Sequence, residues 1–204
     1  MSRSKLDVHY LTRLAILIAI VLAMKLTGLS SIPVGPLNMT LNMIPIGIGA
    51  ILLGPLAGGI LGMVYGFTSL YDAVTGASVM THFFFELNPF GTVILCVGMR
   101  ILVGVFTGLL FRALKKIDKT NTICYFAGGL AAPLLNTLLF MGYIVLFFYQ
   151  SEFVQNRVSA LGATSAFMFV ILSVGVQGLV EAATGMIVGG GVAKSVDHAL
   201  NRKK

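Results

Sequence analysis

Six long apolar runs, separated by polar or basic stretches, constrain this chain more than any other feature of it. The hydrocarbon core of a bilayer is about 30 Å thick, so one helical crossing takes roughly 20 largely apolar residues at 1.5 Å rise each. Of the 204 residues, 57% are hydrophobic and 10% are charged, where a soluble domain carries roughly 25% charged residues. A water-soluble fold cannot hide that much apolar surface. The expectation is an all-α membrane protein, a bundle of six transmembrane helices forming a single domain over residues 1–204.

The first run covers about Tyr10 to Leu26. Gly28, Ser30, Ser31, Pro33, Gly35 and Pro36 then break regular structure, which predicts a loop. Met39 to Leu53 is stopped by Gly54-Pro55, and the next run resumes at once and reaches Leu70, so the pair reads as a helical hairpin. Tyr71 to Pro89 mixes Asp72, Thr75, His82, Glu86 and Asn88 with Phe83, Phe84 and Phe85, and reads as a long outer loop. Phe90 to Leu114, Cys124 to Tyr149 and Ala163 to Val192 are the last three runs, with a charged connection at Lys115 to Lys119 and a polar stretch at Gln150 to Gly162. Arg3, Lys5 and Arg13 ahead of Leu14 to Met24 imitate a secretory signal, but the five further runs favour a retained helix.

The basic residues punctuate the ends of these runs. The N-terminus, the Lys115 to Lys119 connection and the C-terminus hold Arg3, Lys5, Arg13, Arg112, Lys115, Lys116, Lys119, Lys194, Arg202, Lys203 and Lys204. Short positively charged loops stay cytoplasmic, which predicts both termini inside and the loops at Gly28 to Asn38, Tyr71 to Pro89 and Gln150 to Gly162 outside. Charge in that distribution serves topology and attraction to membrane lipid, not nucleic acid. Cys96 and Cys124 lie at or inside apolar runs and read as small buried hydrophobes.

Small residues repeat every fourth position in several runs and so align on one helix face. Ala15, Ala19 and Ala23 form one such stripe, which either packs inside the chain or marks an interface. Gly54, Gly58, Gly62 and Gly66 form a longer one, repeated at Gly104 with Gly108 and at Gly185 with Gly189, and these predict close internal helix packing.

Polar residues at membrane depth are costly and tend to face a cavity or a partner. Arg100 and Glu181 are the two most informative. They form a buried ion pair, or Arg100 offers its guanidinium fork to a ligand carboxylate. Tyr65, Asn136, Tyr143 and Gln177 either bond neighbouring helices or converge on one cavity and serve a small, oxygen-rich ligand. Asn38 and Asn42 at the head of the second run, with Tyr71 and His82 in the outer loop, are candidates at a cavity mouth.

No Gly-rich run ends in Gly-Lys-Ser or Gly-Lys-Thr, so no ATP-binding P-loop is present. The histidines, His9, His82 and His198, fall in termini or a loop, and nothing suggests a metal site or a catalytic residue. A small membrane enzyme or a channel fits this pattern less well than a solute-binding transport subunit.

The basic N-terminus, the Ala15, Ala19 and Ala23 stripe, the hairpin broken at Gly54-Pro55 and six runs within the chain together resemble the S component of energy-coupling factor (ECF) transporters, most closely over Met39 to Phe67. That resemblance implies a vitamin-binding subunit of the bacterial plasma membrane that topples to release its cargo. It implies docking of the alanine stripe on a transmembrane T component driven by two ATPase subunits, with ATP used by those partners and no cofactor on this chain. Asn38 to Asn42, the Phe-Glu-Leu-Asn-Pro-Phe run from Phe85 to Phe90, and Arg100 look most like the pantothenate branch. Folate, niacin or a pyridoxine-like vitamin are the alternatives.

Overall fold

A computed structural model describes residues 8–34, 37–118, 120 and 122–201, with the side chains of 31–39 and 201 left out. Among the described residues, four helices are long and apolar enough to cross a membrane: Val8–Leu26, Pro89–Ile117, Ile123–Phe147 and Ala166–Leu200. The first is α1 (Val8–Leu26). A two-stranded ribbon, β1 (Ser31–Val34) and β2 (Leu37–Thr40), follows it. The strands pair antiparallel, Ser31 opposite Thr40 and Val34 opposite Leu37. The expected loop at Gly28 to Asn38 is therefore largely ribbon, and helix α2 (Met43–Leu52) starts later than the apolar run does. Ten helical residues rise only about 15 Å, half the thickness of a hydrocarbon core.

Gly54 and Pro55 make the turn into α3 (Pro55–Thr75). Pro55 occupies the first helical turn, where its missing N–H costs nothing. Gly54 has φ +98°, the left-handed region that glycine enters freely, and a Cβ there would lie 2.6 Å from Arg112 Nη2.

The stretch expected as an outer loop is instead helical. Helix α3 runs five residues past Leu70, and α4 (Val79–Leu87) follows, burying Thr81 and Phe84 one turn apart. His82 Nδ1 lies 2.7 Å from the Ala73 carbonyl and holds α4 on the end of α3. The polar stretch at Gln150 to Gly162 is also helical. It forms α8 (Glu152–Leu161), which buries Val154 and Val158 and ends at Gly162.

The fourth run is one continuous helix: α5 (Pro89–Val93), a π-helical stretch at Ile94–Gly98, and α6 (Met99–Ile117). Asn88 caps its start, accepting from the Gly91 N–H at 2.9 Å. Helix α7 (Ile123–Phe147) comes next, and α9 (Ala166–Thr184), a π-helical stretch at Gly185–Gly190 and α10 (Gly191–Asn201) end the bundle.

Helices α3, α6 and α7 pack side by side as a central slab. Its contacts are so close that a Cβ on Gly58 or Gly104 would strike the other's backbone, and one on Gly66 would lie 2.7 Å from Val97 Cα. Helix α1 lies outside the slab and touches it through Leu14 and Val21. At one end an aromatic core joins Phe84, Phe148 and Phe169. At the other, Tyr125 donates to Asp197 Oδ2 at 2.5 Å and Lys194 Nζ donates to Thr122 Oγ1 at 3.0 Å, which fastens α10 to α7. The outer faces stay apolar and uncovered, with Leu146 at 78% exposure, as lipid-facing helices require.

Candidate functional site

A cavity of about 790 Å³ opens between α3, α6, α7, α8 and α9. The polar residues the sequence singled out inside the apolar runs, Tyr65, Arg100, Asn136, Gln177 and Glu181, line it together, Tyr143 excepted.

Arg100 enters from the first turn of α6, just after the π-helical stretch, and is 7% exposed. Its Nη1 donates to the Cys96 carbonyl at 3.0 Å. The guanidinium carbon stands 4.6 Å from the centre of the Tyr65 ring and 5.0 Å from that of Phe140, within cation–π range of both. Its Nε is buried without a hydrogen-bond partner. The two rings pack against the guanidinium, so the cation is held between them and incompletely satisfied.

Glu181, 5% exposed, lies on α9. Its Oε1 accepts from the Thr40 backbone N–H at 2.7 Å and from Gln177 Nε2 at 2.9 Å. The first of these bonds hooks the ribbon onto α9. Among the described residues no ion pair joins Glu181 to Arg100, so the two buried charges face one cavity without neutralising each other.

Asn136 Oδ1 and Ser173 Oγ are likewise buried and unpartnered, and both residues line the cavity. A buried polar atom left without a partner costs about 1–3 kcal/mol, which a bound ligand can restore.

Residues 9–188 match the family model described as ECF transporter, substrate-specific component. The chain belongs to that family. Its members are subunits of transporters and not enzymes, and the matched span takes in every residue of the cavity. No curated protein matches the chain.

In this substrate-specific component several expected positions lie away from the cavity. Tyr71 is an exposed residue on the outer flank of α3. His82 is used in fastening α4, with Glu86 Oε1 3.5 Å from its Nε2. Tyr143 stacks on Phe147 with ring centres 4.4 Å apart, because the cavity-facing side of α7 runs through Asn136, Thr137, Phe140, Met141 and Ile144 and leaves Tyr143 at its edge. Asn42 is fully buried at the start of α2, with neither amide atom bonded, and does not line the cavity. The side chain of Asn38 lies outside the described residues, as do Arg3, Lys5, Lys119, Arg202, Lys203 and Lys204.

Sequence reasoning missed Lys25, Asp72, Ser173 and Arg157. Lys25 in the last turn of α1 pairs with Asp72 of α3 at the cavity wall. A lone lysine closing an apolar run was a usable signal for the first of these. Arg157 is an exposed rim residue on α8.

Ala15, Ala19 and Ala23 are all exposed on α1, on the side turned away from Leu14 and Val21.

Proposed function

We propose that this chain is the pantothenate-binding S component of an ECF importer of the bacterial plasma membrane. The observation that carries the reading is Arg100, a buried guanidinium braced by Tyr65 and Phe140, short of one acceptor and facing a cavity. A planar fork so held suits a carboxylate. Pantothenate adds an amide, two hydroxyls and a geminal dimethyl group. Asn136, Ser173, Gln177 and Glu181 suit the polar groups, and Met141, Ile144 and Phe169 offer an apolar wall to the methyls.

In this reading α1, α2, α3, the α5–α6 helix, α7 and the α9–α10 helix make six passages with both termini cytoplasmic. The cavity then opens outward, between the ends farthest from Lys115, Lys116 and Lys194. The exposed face of Ala15, Ala19 and Ala23 docks on a T component, and two separate ATPase subunits supply the energy from ATP.

The purified chain should be stabilised by pantothenate, by about 2.7 kcal/mol at 100 times the dissociation constant, which thermal shift detects readily. Arg100→Ala should weaken pantothenate binding by about 100-fold or more while changing the affinity for pantothenyl alcohol, which lacks the carboxylate, far less. Equal losses for acid and alcohol refute the carboxylate assignment. A shift with another vitamin and none with pantothenate refutes the choice of substrate.

A further inference from the structure

Building on the pantothenate reading, we propose that Glu181 reads the hydroxyl-bearing end of the ligand and excludes any ligand that carries a second anion there. Helix α7 packs against both α6 and α9. The polar groups of the cavity therefore fall in an order across three helices: the unpartnered Arg100 Nε on α6, the unpartnered Asn136 Oδ1 on α7, and on α9 the unpartnered Ser173 Oγ together with the Glu181 carboxylate.

Ser173, Gln177 and Glu181 are spaced by four and share one face of α9. Arg100 has only donors to offer, and a carboxylate accepts only. The site thus has a cationic end and an anionic end, and a ligand that satisfies it is an anion at one end and a hydrogen-bond donor at the other. In pantothenate the carboxylate meets Arg100, the amide N–H meets Asn136 and the hydroxyls donate toward Ser173 and Glu181.

Glu181 Oε1 is already engaged by Thr40 and Gln177, and the carboxylate has no cationic partner among the described residues. The other positive groups of the cavity are placed or paired differently: Lys25 is bound to Asp72, and Arg157 is exposed at the rim. A phosphate on the hydroxyl end would meet a buried carboxylate, and like charges juxtaposed at a desolvated contact repel strongly. The site then admits the free acid and rejects its phosphate ester.

Titration calorimetry on the detergent-purified chain tests this with three probes: pantothenate, pantothenate phosphorylated on its primary hydroxyl, and the analogue lacking that hydroxyl. The wild-type chain should bind pantothenate about 100-fold or more tighter than the ester, and about tenfold or more tighter than the deoxy analogue. Glu181→Gln, an isosteric change, should reduce the discrimination against the ester to about tenfold or less. Comparable wild-type affinities for pantothenate and ester overturn the proposal, and a further loss of ester binding in Arg157→Ala would put its anion at the α8 rim. An unchanged ratio in Glu181→Gln also overturns it. If Glu181→Gln does not fold, the deoxy analogue decides, since equal affinity for it and for pantothenate means that Glu181 does not read the hydroxyl. Absence of any pantothenate binding by the wild-type chain is a different result, which refutes the pantothenate reading itself.

Discussion

Two stripes of small residues with the same four-residue spacing occupy opposite environments in this molecule. On α3, Gly58, Gly62 and Gly66 press against the backbone of α6 and of the π-helical stretch before it, and the matching Gly104 and Gly108 press back against Gly58 and Pro55. On α1, Ala15, Ala19 and Ala23 face away from the rest of the chain. The spacing makes a flat helix face in both cases, and what differs is the neighbour. Helix α6 supplies a second flat face for α3, whereas α1 meets α2 and α3 through larger side chains, Leu14 and Val21, on its other side. A small-residue stripe thus shows how closely a helix can be approached and leaves open which helix approaches it.

The largest expected effect lies on the glycine side. Gly104→Val places a branched side chain where Gly58 contributes its carbonyl, between two backbones with no flexible group to yield. Overpacking typically costs about 1–3 kcal/mol and more where a backbone must shift, so a loss of about 3 kcal/mol or more is expected. Size-exclusion and thermal unfolding in detergent should show an aggregated or markedly less stable protein. A wild-type melting temperature would mean that α3 and α6 do not meet at that glycine pair.

A smaller effect is expected at the connection that joins α6 to α7 within the same slab. Asp118 accepts from the N–H groups of Thr120, Thr122 and Cys124 at 2.9–3.0 Å and so caps the entry to α7. These bonds, led by that from the Cys124 backbone, hold its carboxyl well below the usual carboxylate range. The folded state thus keeps Asp118 ionised where the unfolded chain would protonate it. Its contribution is complete at neutral pH and fades as pH falls below the unfolded value of about 3.9 toward the depressed folded one. Asp118→Ala should melt below the wild type at neutral pH, and the gap should narrow at about pH 3. A gap that is constant with pH would show that the cap works without its charge.

The glycine repeats and the apolar runs were legible in the sequence because close packing and lipid exposure each demand a residue type at a fixed period. The convergence of Tyr65, Arg100, Asn136, Gln177 and Glu181 could be expected because polar groups at membrane depth need partners. Helices α4 and α8 were hidden. Each buries only two residues, Thr81 with Phe84 and Val154 with Val158, and nine or ten residues give too little period to stand out among Phe83, Phe85, Gln155 and Asn156. The ribbon was hidden by the sequence cues Pro33, Gly35 and Pro36, which read as loop chemistry, while its attachment to Glu181 is made by a backbone N–H that no side-chain pattern encodes.

The smallest effect on stability, and the sharpest test of the comparison, belongs to Ala19→Leu. Residue 19 is exposed on α1, and a leucine directed at lipid is as well solvated there as an alanine, so the melting temperature should correspond to a change within about 0.5 kcal/mol. Affinity for the proposed ligand, pantothenate, should be unchanged, because Ala19 does not line the cavity and the Lys25–Asp72 pair that joins α1 to it lies more than a helical turn away along the chain. If the alanine face receives a partner helix as closely as α3 receives α6, the added side chain will hold the two apart, and co-purification with the T component should be lost. Retained assembly would show that the alanine face is simply a lipid-facing surface and that, of the two stripes, the glycine one alone makes close helix contacts. Loss of assembly with intact ligand binding would show that the same flat-face chemistry operates twice, once within the chain and once between chains.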